Sequence, residues 1–259
     1  MDIEELVLSH GEASAAIAPS RGALITRLTV AGRALLYLDR ATLTDVTKNV
    51  RGGVPLLFPF AGRLDGNRLL PAGTELGQHG FARNRAWSVT EMRPDFLRLT
   101  LHDDEGTRAV YPHTFQLEHS FTVLPRGLLV ELQMWNLGST PMPVSPGWHP
   151  YFSCASAAKP LVRAEGDVVD AARFTPEAEF DFGVMAPVQG RARFHIPELG
   201  VLALGFSPEM RWLQCWGLPG RDFVCLEPFL GPNNTINTPA RLSIPPGQAH
   251  TLWMRMELL

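Results

Sequence analysis

The chain has little lysine and no excess of basic residues, and these two features exclude several classes of protein. Only Lys48 and Lys159 are lysines among 259 residues, so 21 of the 23 basic residues are arginine. The formal net charge of −3 gives no basic footprint for nucleic acid and no polybasic signal for a membrane surface. We interpret the arginine bias as genomic base composition and not as a ligand-binding signal.

Cysteine is scarce as well, and long apolar runs are missing. The three cysteines, Cys154, Cys215 and Cys225, are too few and too widely spaced for a disulfide framework or a zinc knuckle. The first 16 residues are acidic and lack the apolar core of a signal peptide. No stretch approaches the ~18 apolar residues that a membrane span needs. We therefore expect a soluble, cytoplasmic protein.

Glycine and proline, in contrast, are abundant. The 23 glycines and 22 prolines together make up 45 of 259 residues, about 17% against an average near 12%. Both residues favour turns and are poorly tolerated inside helices, so the composition predicts many short elements. Apolar residues at 45% and charged residues at 19% are typical of a folded globular chain and exclude disorder.

Alternating apolar and polar residues predict strands along most of the chain. Residues 96–101 alternate strictly, and residues 116–124 and 128–135 flank a Pro-Arg-Gly turn that predicts a hairpin. Residues 29–38 carry a central Gly-Arg and predict an earlier hairpin. Further predicted strands are residues 201–206, 212–216, 223–226, 241–244 and 251–258.

The spacing of these strands indicates the fold class. They recur roughly every 8–15 residues, with no sequence repeat, no biased linker and no amphipathic helix longer than a turn or two. This pattern predicts an all-β sandwich or barrel formed by a single domain over residues 1–259. Residues 153–187 lack a strand pattern, and we expect long loops there over one face.

Three parts of the chain combine turn residues with aromatic and polar side chains. They are residues 51–68 together with the nearby 78–85 (QHGFARNR), residues 145–152 (SPGWHPYF), and residues 222–239. Aromatic faces beside hydrogen-bonding groups suit a pyranose, which has apolar C–H faces and a rim of hydroxyls. These segments therefore predict a sugar-binding site.

Each candidate residue also has a plainer structural explanation. His79 could cap a turn, His149 could be a core histidine, and Arg63 and Arg83 could be solvated surface charges. Glu227 stands out because a carboxylate at the end of an apolar strand must be paired, solvated or functional. His149 and Glu227 each precede a proline, which favours extended backbone and suits a preorganised acid/base pair.

The segments together, in this order, resemble the aldose 1-epimerase (galactose mutarotase-like) superfamily over roughly residues 15–258. FPFAGRLDGNR resembles the early Gly-Arg…Asn-Arg segment of the family, and QHGFARNRAW is similar to a stretch of its shorter branch, which includes hexose-6-phosphate mutarotases. GWHPYF resembles the segment with the catalytic histidine, here His149. FVCLEPFLGPNNTIN resembles the segment with the catalytic glutamate, here Glu227.

The resemblance implies a large β-sandwich of twisted antiparallel sheets with an open concave sugar cleft. It also implies interconversion of the α and β anomers of an aldohexose, without a cofactor. Glu227, near its ordinary pKa of ~4.3, would be the base, and His149 would be the acid if a nearby carboxylate favours its charged form. His79 would hydrogen-bond the sugar and polarise its reacting end.

Further residues are candidates for binding the sugar. Arg63, Arg83, Asn67 and Trp148 belong to the matching segments and are predicted to contact the substrate. Asp181 is the acid nearest in type to an additional sugar-binding aspartate of larger family members, although a loop carboxylate is the simpler interpretation of this position. We expect the partner to be a small-molecule sugar, no metal to be needed, and the chain to be a monomer or homodimer.

Alternative functions stay open at this point. A 6-phosphorylated aldose is favoured by the HGFAR stretch, and Arg63, Arg83 and Arg85 could clamp its phosphate. A non-catalytic carbohydrate-binding β-sandwich would keep the cleft without needing an acid and a base. A glycoside hydrolase needs two carboxylates, and a metal cupin needs a tight histidine cluster, whereas the sequence offers neither.

Overall fold

A computed structural model of the chain describes residues 3–259, which form β-strands joined by short loops and helices. Within this range the strands are β1 (Leu6–His10), β2 (Ala13–Ala18), β3 (Leu24–Val30), β4 (Arg33–Ala34), β5 (Leu56–Leu57), β6 (Arg68–Leu69), β7 (Thr74–Glu75), β8 (Ser88–Arg93), β9 (Phe96–His102), β10 (Phe115–Leu124), β11 (Gly127–Asn136), β12 (Met142–Val144), β13 (Gly147–Trp148), β14 (Tyr151–Ser153), β15 (Arg163–Ala164), β16 (Phe180–Met185), β17 (Arg191–Ile196), β18 (Gly200–Phe206), β19 (Trp212–Gly217), β20 (Phe223–Phe229), β21 (Leu242–Ile244) and β22 (Ala249–Leu258). The α-helices are α1 (Arg40–Thr44) and α2 (Glu105–Val110). The 3-10 helices are Pro19–Arg21, Asp65–Asn67, Ala82–Asn84, Ser156–Leu161, Glu165–Asp167, Ala171–Arg173 and Thr235–Asn237.

Three larger sheets organise the described residues. The eight-stranded sheet has the order β15-β17-β18-β22-β11-β10-β9-β8, and the four-stranded sheet has the order β1-β2-β3-β4. The six-stranded sheet has the order β16-β19-β20-β13-β5, with β14 also paired to β20. Two small ladders, β6-β7 and β12-β21, complete the set. Neighbouring strands pair antiparallel throughout these ladders, and the predicted all-β sandwich is confirmed.

The β10–β11 hairpin forms where the alternating pattern predicts it. Its register pairs Phe121 with Val130 and ends at Leu124 opposite Gly127. Every second residue of both strands is buried, because one face covers the core and the other faces outward. Burying a large apolar side chain such as that of Phe121 contributes about 1.5–3 kcal/mol, so the register is fixed by the hydrophobic face.

Side chains of the eight-stranded and six-stranded sheets share one core. Phe58, next to β5, packs against Tyr111 and Phe115 with ring centroids 5.9 and 5.5 Å apart. Trp148 of β13 donates its indole N–H to Nε2 of His119 on β10 over 3.2 Å. Burial lowers the pKa of His119 to about 3, so this ring stays neutral and accepts the bond.

Strand β20 is buried on both of its faces, unlike the outer strands. Val224 and Leu226 point into the shared core, whereas Cys225 and Glu227 lie on the opposite face. A strand that is buried on both faces has a nearly continuous run of apolar residues, as the seven residues of β20 do. Glu227 is the acidic exception in that run, and its position marks the face that carries the candidate site.

The expectation of long loops over residues 153–187 is wrong in two places, because Arg163–Ala164 form the short strand β15 and a longer strand follows. Residues Phe180–Met185 form β16, the edge strand of the six-stranded sheet, and they place Asp181 on a strand and not in a loop. The Phe-Asp-Phe alternation is short, and the glycine that follows it is unfavourable in strands, so the sequence pattern did not predict this strand. Among residues 3–259 there is no helix with the length and apolarity needed to cross a membrane.

The tight pairing of β11 and β22 generates a stability prediction. A Cβ added to Gly127 would lie 1.9 Å from the carbonyl oxygen of Met256, so Gly127→Ala must push two backbones apart. We expect a loss of about 2–4 kcal/mol and a fall in Tm of roughly 5–15 °C in thermal denaturation. Gly77→Ala is the matched control, because nothing lies within 4 Å of its added Cβ. Equal Tm values for the two variants would contradict this packing.

Candidate active site

A cleft of about 340 Å3 opens on the outer face of the six-stranded sheet. Strand alternation directs Gln214 and Trp216 of β19, and Glu227 of β20, to this face, while their immediate neighbours point into the core. Six other parts of the chain, from loops and from the edges of strands, close the sides. The cleft therefore collects residues that are up to 184 positions apart, from Asn49 to Asn233.

Glu227 lies at the floor of the cleft and is only 1% exposed. It sits directly opposite Gln214 in the β19–β20 ladder, so its position is set by the sheet. No protein donor among the described residues hydrogen-bonds its carboxyl oxygens. Burial raises the pKa of Glu227 well above its usual range, and the negative charge of Asp181 adds to the effect.

His149 lies between β13 and β14 and is 7% exposed. Its backbone N–H donates to the carbonyl of Pro55 over 3.0 Å, which anchors the segment. Its Nδ1 lies 3.5 Å from Oε2 of Glu227, yet it has no hydrogen-bond partner among the described residues. The pKa of His149 is lowered to about 3, chiefly by burial and in smaller part by the positive charges of Arg83 and Arg51.

These two shifts differ from the sequence-based expectation. The expected glutamate pKa of ~4.3 and a cationic histidine assume that mutual attraction dominates, whereas burial penalises both charges and favours the neutral forms of Glu227 and His149. In both arrangements, the ionised one and the neutral one, Glu227 and His149 share one titratable proton. The pair therefore always presents one donor and one acceptor, which is what a reversible acid/base step requires.

His79 reaches the cleft from a sharp turn. Its φ of +68° and that of the following Gly80, +67°, are left-handed, and a Cβ on Gly80 would lie 2.2 Å from the carbonyl oxygen of Phe58. The backbone N–H of Gly62 donates to Nδ1 of His79 over 2.9 Å. Burial holds the pKa of His79 well below its usual value, so the neutral ring carries its proton on Nε2, next to the amide of Gln78. Nε2 of Gln78 lies 3.0 Å from this nitrogen, so a ligand oxygen that accepts the Nε2 proton must displace the Gln78 amide.

Asp181 lines the cleft, and a polar chain holds it there. The indole N–H of Trp212 donates to Oε1 of Gln214 over 2.8 Å, and Nε2 of Gln214 donates to Oδ1 of Asp181 over 2.6 Å. The first bond fixes which way the amide of Gln214 points, and the second then orients the carboxylate. The interpretation of Asp181 as a loop carboxylate is wrong, while its sugar-binding role stays a prediction.

Arg63 and Arg83 both line the cleft, on neighbouring walls. Arg83 donates from Nη2 to the carbonyl of Gln78 over 2.9 Å, and its buried Nε has no partner among the described residues. The backbone of Arg63 is held by Asn233 and Asn234, with an N–H donating to Asn233 over 2.9 Å and a carbonyl accepting from Asn234 over 2.7 Å. Both guanidinium groups are thus available to a ligand.

Three predicted contacts need correction. Trp148 does not line the cleft: it is 1% exposed and bonded to His119 in the core, because strand alternation turns it away from His149. Asn67 is exposed in a tight turn outside the cleft lining, at a φ of +56°. Arg85, a suggested phosphate ligand, pairs instead with Asp104 over 3.0 Å and also lies outside the lining.

Several residues of the cleft were not predicted from the sequence. The guanidinium of Arg51 lies 5.7 Å from the ring centroid of Trp216, whose indole N–H donates to Glu179 over 2.8 Å. Tyr151 stacks on His149. Gln214 and Trp216 could have been predicted, because Trp212, Gln214 and Trp216 alternate along a predicted strand and so share one of its faces. The other missed lining residues are Asn49, Val50, Gln78, Phe229 and Asn233.

Cys225 brings a thiol close to the acid/base pair. Its Sγ, a ring nitrogen of His149 and an oxygen of Glu227 all lie within 4.8 Å of one another, a spacing that could accommodate a metal ion. Burial raises the pKa of the Cys225 thiol well above its usual value, so it stays protonated.

Comparisons with known proteins agree with this geometry. A family model described as "Aldose 1-epimerase" matches residues 4–194. The solved structure of the Slr1438 protein from Synechocystis sp. PCC 6803 is 30% identical, with a TM-score of 0.91 over 99% of this chain and 96% of that chain. The galactose mutarotase related enzyme from Lactobacillus acidophilus is 17% identical with a TM-score of 0.82, over 99% of this chain and 97% of that one, and it shows the shared fold alone.

A curated relative matches over a shorter length. The Salmonella typhimurium protein named "Putative glucose-6-phosphate 1-epimerase" is 29% identical over 171 residues, which is 64% of this chain and 54% of that protein. The chain thus spans about half the length of this curated relative.

The influence of Asp181 on Glu227 generates a pH prediction. Removing the negative charge in Asp181→Asn favours ionisation of Glu227, so the pKa of Glu227 should fall toward its usual range. A pH titration of the Glu227 side-chain carboxyl carbon by NMR measures the change. Asp95→Asn, in the turn between β8 and β9, is the control and should leave the titration unchanged. An unchanged or higher pKa in Asp181→Asn would contradict the assignment.

Proposed function

The chain belongs to the aldose 1-epimerase family, and we propose that it interconverts the α and β anomers of an aldohexose by acid/base catalysis. One observation carries the proposal. His149 and Glu227 face each other over 3.5 Å at the floor of a polar cleft, and both are buried. Within residues 3–259, Nδ1 of His149 has no hydrogen-bond partner and no donor reaches the carboxyl oxygens of Glu227. A buried pair of this kind is expensive to keep unless a ligand uses it.

The proposed reaction needs only proton transfers. The step starts with the single proton of the pair on His149 and with Glu227 as the carboxylate. Glu227 then accepts the proton of the anomeric hydroxyl while His149 donates its proton to the ring oxygen, and the bond between C1 and the ring oxygen breaks. Rotation about the C1–C2 bond turns the aldehyde, and the ring closes on its other face with the two roles reversed. Every proton returns and no atom changes its oxidation state overall, so the chemistry requires no redox cofactor.

Surrounding side chains have supporting roles in this proposal. The Nε2 proton of neutral His79 hydrogen-bonds an oxygen at the reacting end of the sugar and polarises it. Arg63 and the oriented carboxylate of Asp181 bind hydroxyls, and Arg83 contributes a further donor. Support comes from the geometry: the cleft gathers donors and acceptors on several sides of the pair, as a ligand with a rim of hydroxyls requires.

A 6-phosphorylated aldohexose is the second candidate substrate. Three guanidinium groups, those of Arg51, Arg63 and Arg83, line the cleft, and a cluster of arginines suits a phosphate. Two carboxylates, Glu179 and Asp181, line it as well, which weakens the electrostatic preference. The name of the Salmonella relative also favours this candidate.

The wider organisation of the protein is part of the proposal. We propose that residues 1–259 act as one domain, since described residues from Leu8 to Leu258 contribute to a single core cluster. A cytoplasmic location and a monomeric or homodimeric state stay predictions.

Substitutions of the pair test the proposed catalysis. Glu227→Gln and His149→Asn should each lower kcat by about 100-fold or more, because each removes one partner of the proton transfer. Arg63→Ala should mainly raise KM, because it removes binding that the ground state and transition state share. The rates are followed by polarimetry or NMR on freshly dissolved α-glucose or α-galactose. Glu12→Gln at an exposed turn is the control, and a near-wild-type kcat in Glu227→Gln would remove Glu227 as the base.

A comparison of substrates separates the candidate functions. The wild-type protein should accelerate the equilibration of free α-glucose or α-galactose above the spontaneous rate. Acceleration restricted to the 6-phosphates, weakening as salt is raised, would instead support the phosphorylated substrate. Sugar binding without any acceleration, on both free and phosphorylated sugars, would identify a non-catalytic carbohydrate-binding protein and overturn the proposal.

A further inference from the structure

The orientation of His149 has no hydrogen bond to account for it at Nδ1. A functional imidazole is usually fixed by a hydrogen bond on one ring nitrogen, which sets both its plane and its tautomer. Here Nδ1 is buried and has no partner among the described residues, although Glu227 lies 3.5 Å away. Another interaction must therefore hold the ring plane if the pair is to stay aligned.

Aromatic packing supplies that interaction. The rings of Tyr151 and His149 are stacked, with centroids 4.6 Å apart and an interplanar angle of only 7°. Trp216 meets the same imidazole edge-on at 5.7 Å and 89°, and His79 approaches it at 5.6 Å and 71°. Rotation of the imidazole would drive it into one of these rings, so packing alone restricts its plane.

The stack follows directly from the local sequence. His149 and Tyr151 are two residues apart on extended backbone, so their side chains lie on the same face, with the rigid Pro150 between them. Trp148 and Phe152 alternate with them and are buried in the core. The alternation that points the side chains of Trp148 and Phe152 into the core thus places the ring of Tyr151 beside the imidazole.

Tyr151 is itself held firmly. Its backbone N–H donates to the carbonyl of Gly53 over 3.0 Å, and its carbonyl accepts from the N–H of Tyr37 over 2.9 Å. Its ring packs against Phe223 at 4.9 Å and against Trp216 at 5.9 Å. A ring fixed on both sides by backbone and side-chain contacts can act as a rigid platform for its neighbour.

We propose that Tyr151 is a positioning residue for His149, whose stacked ring sets the imidazole plane and stabilises the positive charge that the imidazole carries during proton transfer. The inference rests on the proposed function. The electron-rich face of an aromatic ring attracts a cation, and this attraction acts only when the imidazole is protonated. Tyr151 therefore favours the charged form of His149, against the burial that disfavours it.

The test compares substitutions that keep or remove the ring. Tyr151→Phe keeps the stack, whereas Tyr151→Leu and Tyr151→Met remove it, and methionine fills more of the lost volume. We expect kcat on the anomer equilibration to fall about tenfold in the Leu and Met variants, with KM changed less than about twofold. Tyr151→Phe should stay within about threefold of wild-type kcat. Tyr37→Leu is the matched control, because Tyr37 packs on Phe223 at 5.2 Å in the same aromatic cluster without touching His149.

A spectroscopic readout makes the test independent of turnover. Long-range 1H–15N spectra, assigned with His149→Asn, report the tautomer and mobility of the imidazole. Wild type and Tyr151→Phe should show one set of sharp His149 signals, and the Leu and Met variants should show averaged or broadened ones. If no wild-type epimerase activity is found, the proposed function fails and these spectra alone decide the positioning role.

Clear results would overturn the inference. Unchanged His149 spectra and a wild-type kcat in the folded Leu or Met variant would show that the stacked ring does not position the imidazole. An equal loss of kcat in Tyr151→Phe would assign the effect to the hydroxyl instead of the ring. The same loss in Tyr37→Leu would indicate general loosening of the aromatic cluster.

Discussion

Burial of two ionisable side chains at one point is the constraint around which this structure is arranged. Glu227 and His149 lie at the floor of the cleft with almost no exposure, and burial shifts the pKa of each toward its neutral form. Such a pair is stable only where the surrounding sheet leaves no room for rearrangement. Strand β20 meets this condition, because its two faces are covered by the core on one side and by the walls of the cleft on the other.

The groups around the pair divide into a neutral inner ring and a charged outer ring. The inner ring consists of His79, Tyr151 and Trp216, whose rings pack against the imidazole without adding a formal charge. The outer ring is formed by guanidinium groups and carboxylates of both signs, and it is partly solvated. Charge at the rim can bind polar ligands, and it also acts on the buried pair, because Asp181 raises the pKa of Glu227 while Arg83 and Arg51 lower that of His149.

The fold was largely predictable from the sequence, and the site only in part. The β10–β11 hairpin and β20 lie where alternation and apolar runs predict strands, since these patterns are local. His149 and Glu227 were identified through short motifs, and Asp181 by residue type alone. Trp148 was misplaced because the motif around it does not reveal which of two alternating faces meets the cleft.

Other parts of the site depend on pairings that no local pattern encodes. Tyr151 reaches the cleft because β14 pairs with β20 of the six-stranded sheet, and Arg51 because the neighbouring Gly52 bridges to Leu38. The neutral states of Glu227 and His149 depend on a depth of burial that only the assembled sheet creates. The register of β16 against β19, which brings Asp181 opposite Trp216, is likewise a tertiary property. Sequence motifs therefore identified His149 and Glu227 as candidates, and the three-dimensional packing brings the two side chains together and determines their charge state.

Residues 148–152 have a consequence for how this protein can change over time. Alternate side chains of the segment serve different parts of the molecule, with Trp148 and Phe152 filling the core and His149 and Tyr151 forming the cleft. A substitution there alters stability and chemistry together, so neither property can be adjusted alone. The rim at Asn49 belongs to an exposed loop outside this segment, whereas Asn233 also holds the backbone of Arg63. New ligand preferences can thus arise by drift at the rim while the floor stays the same.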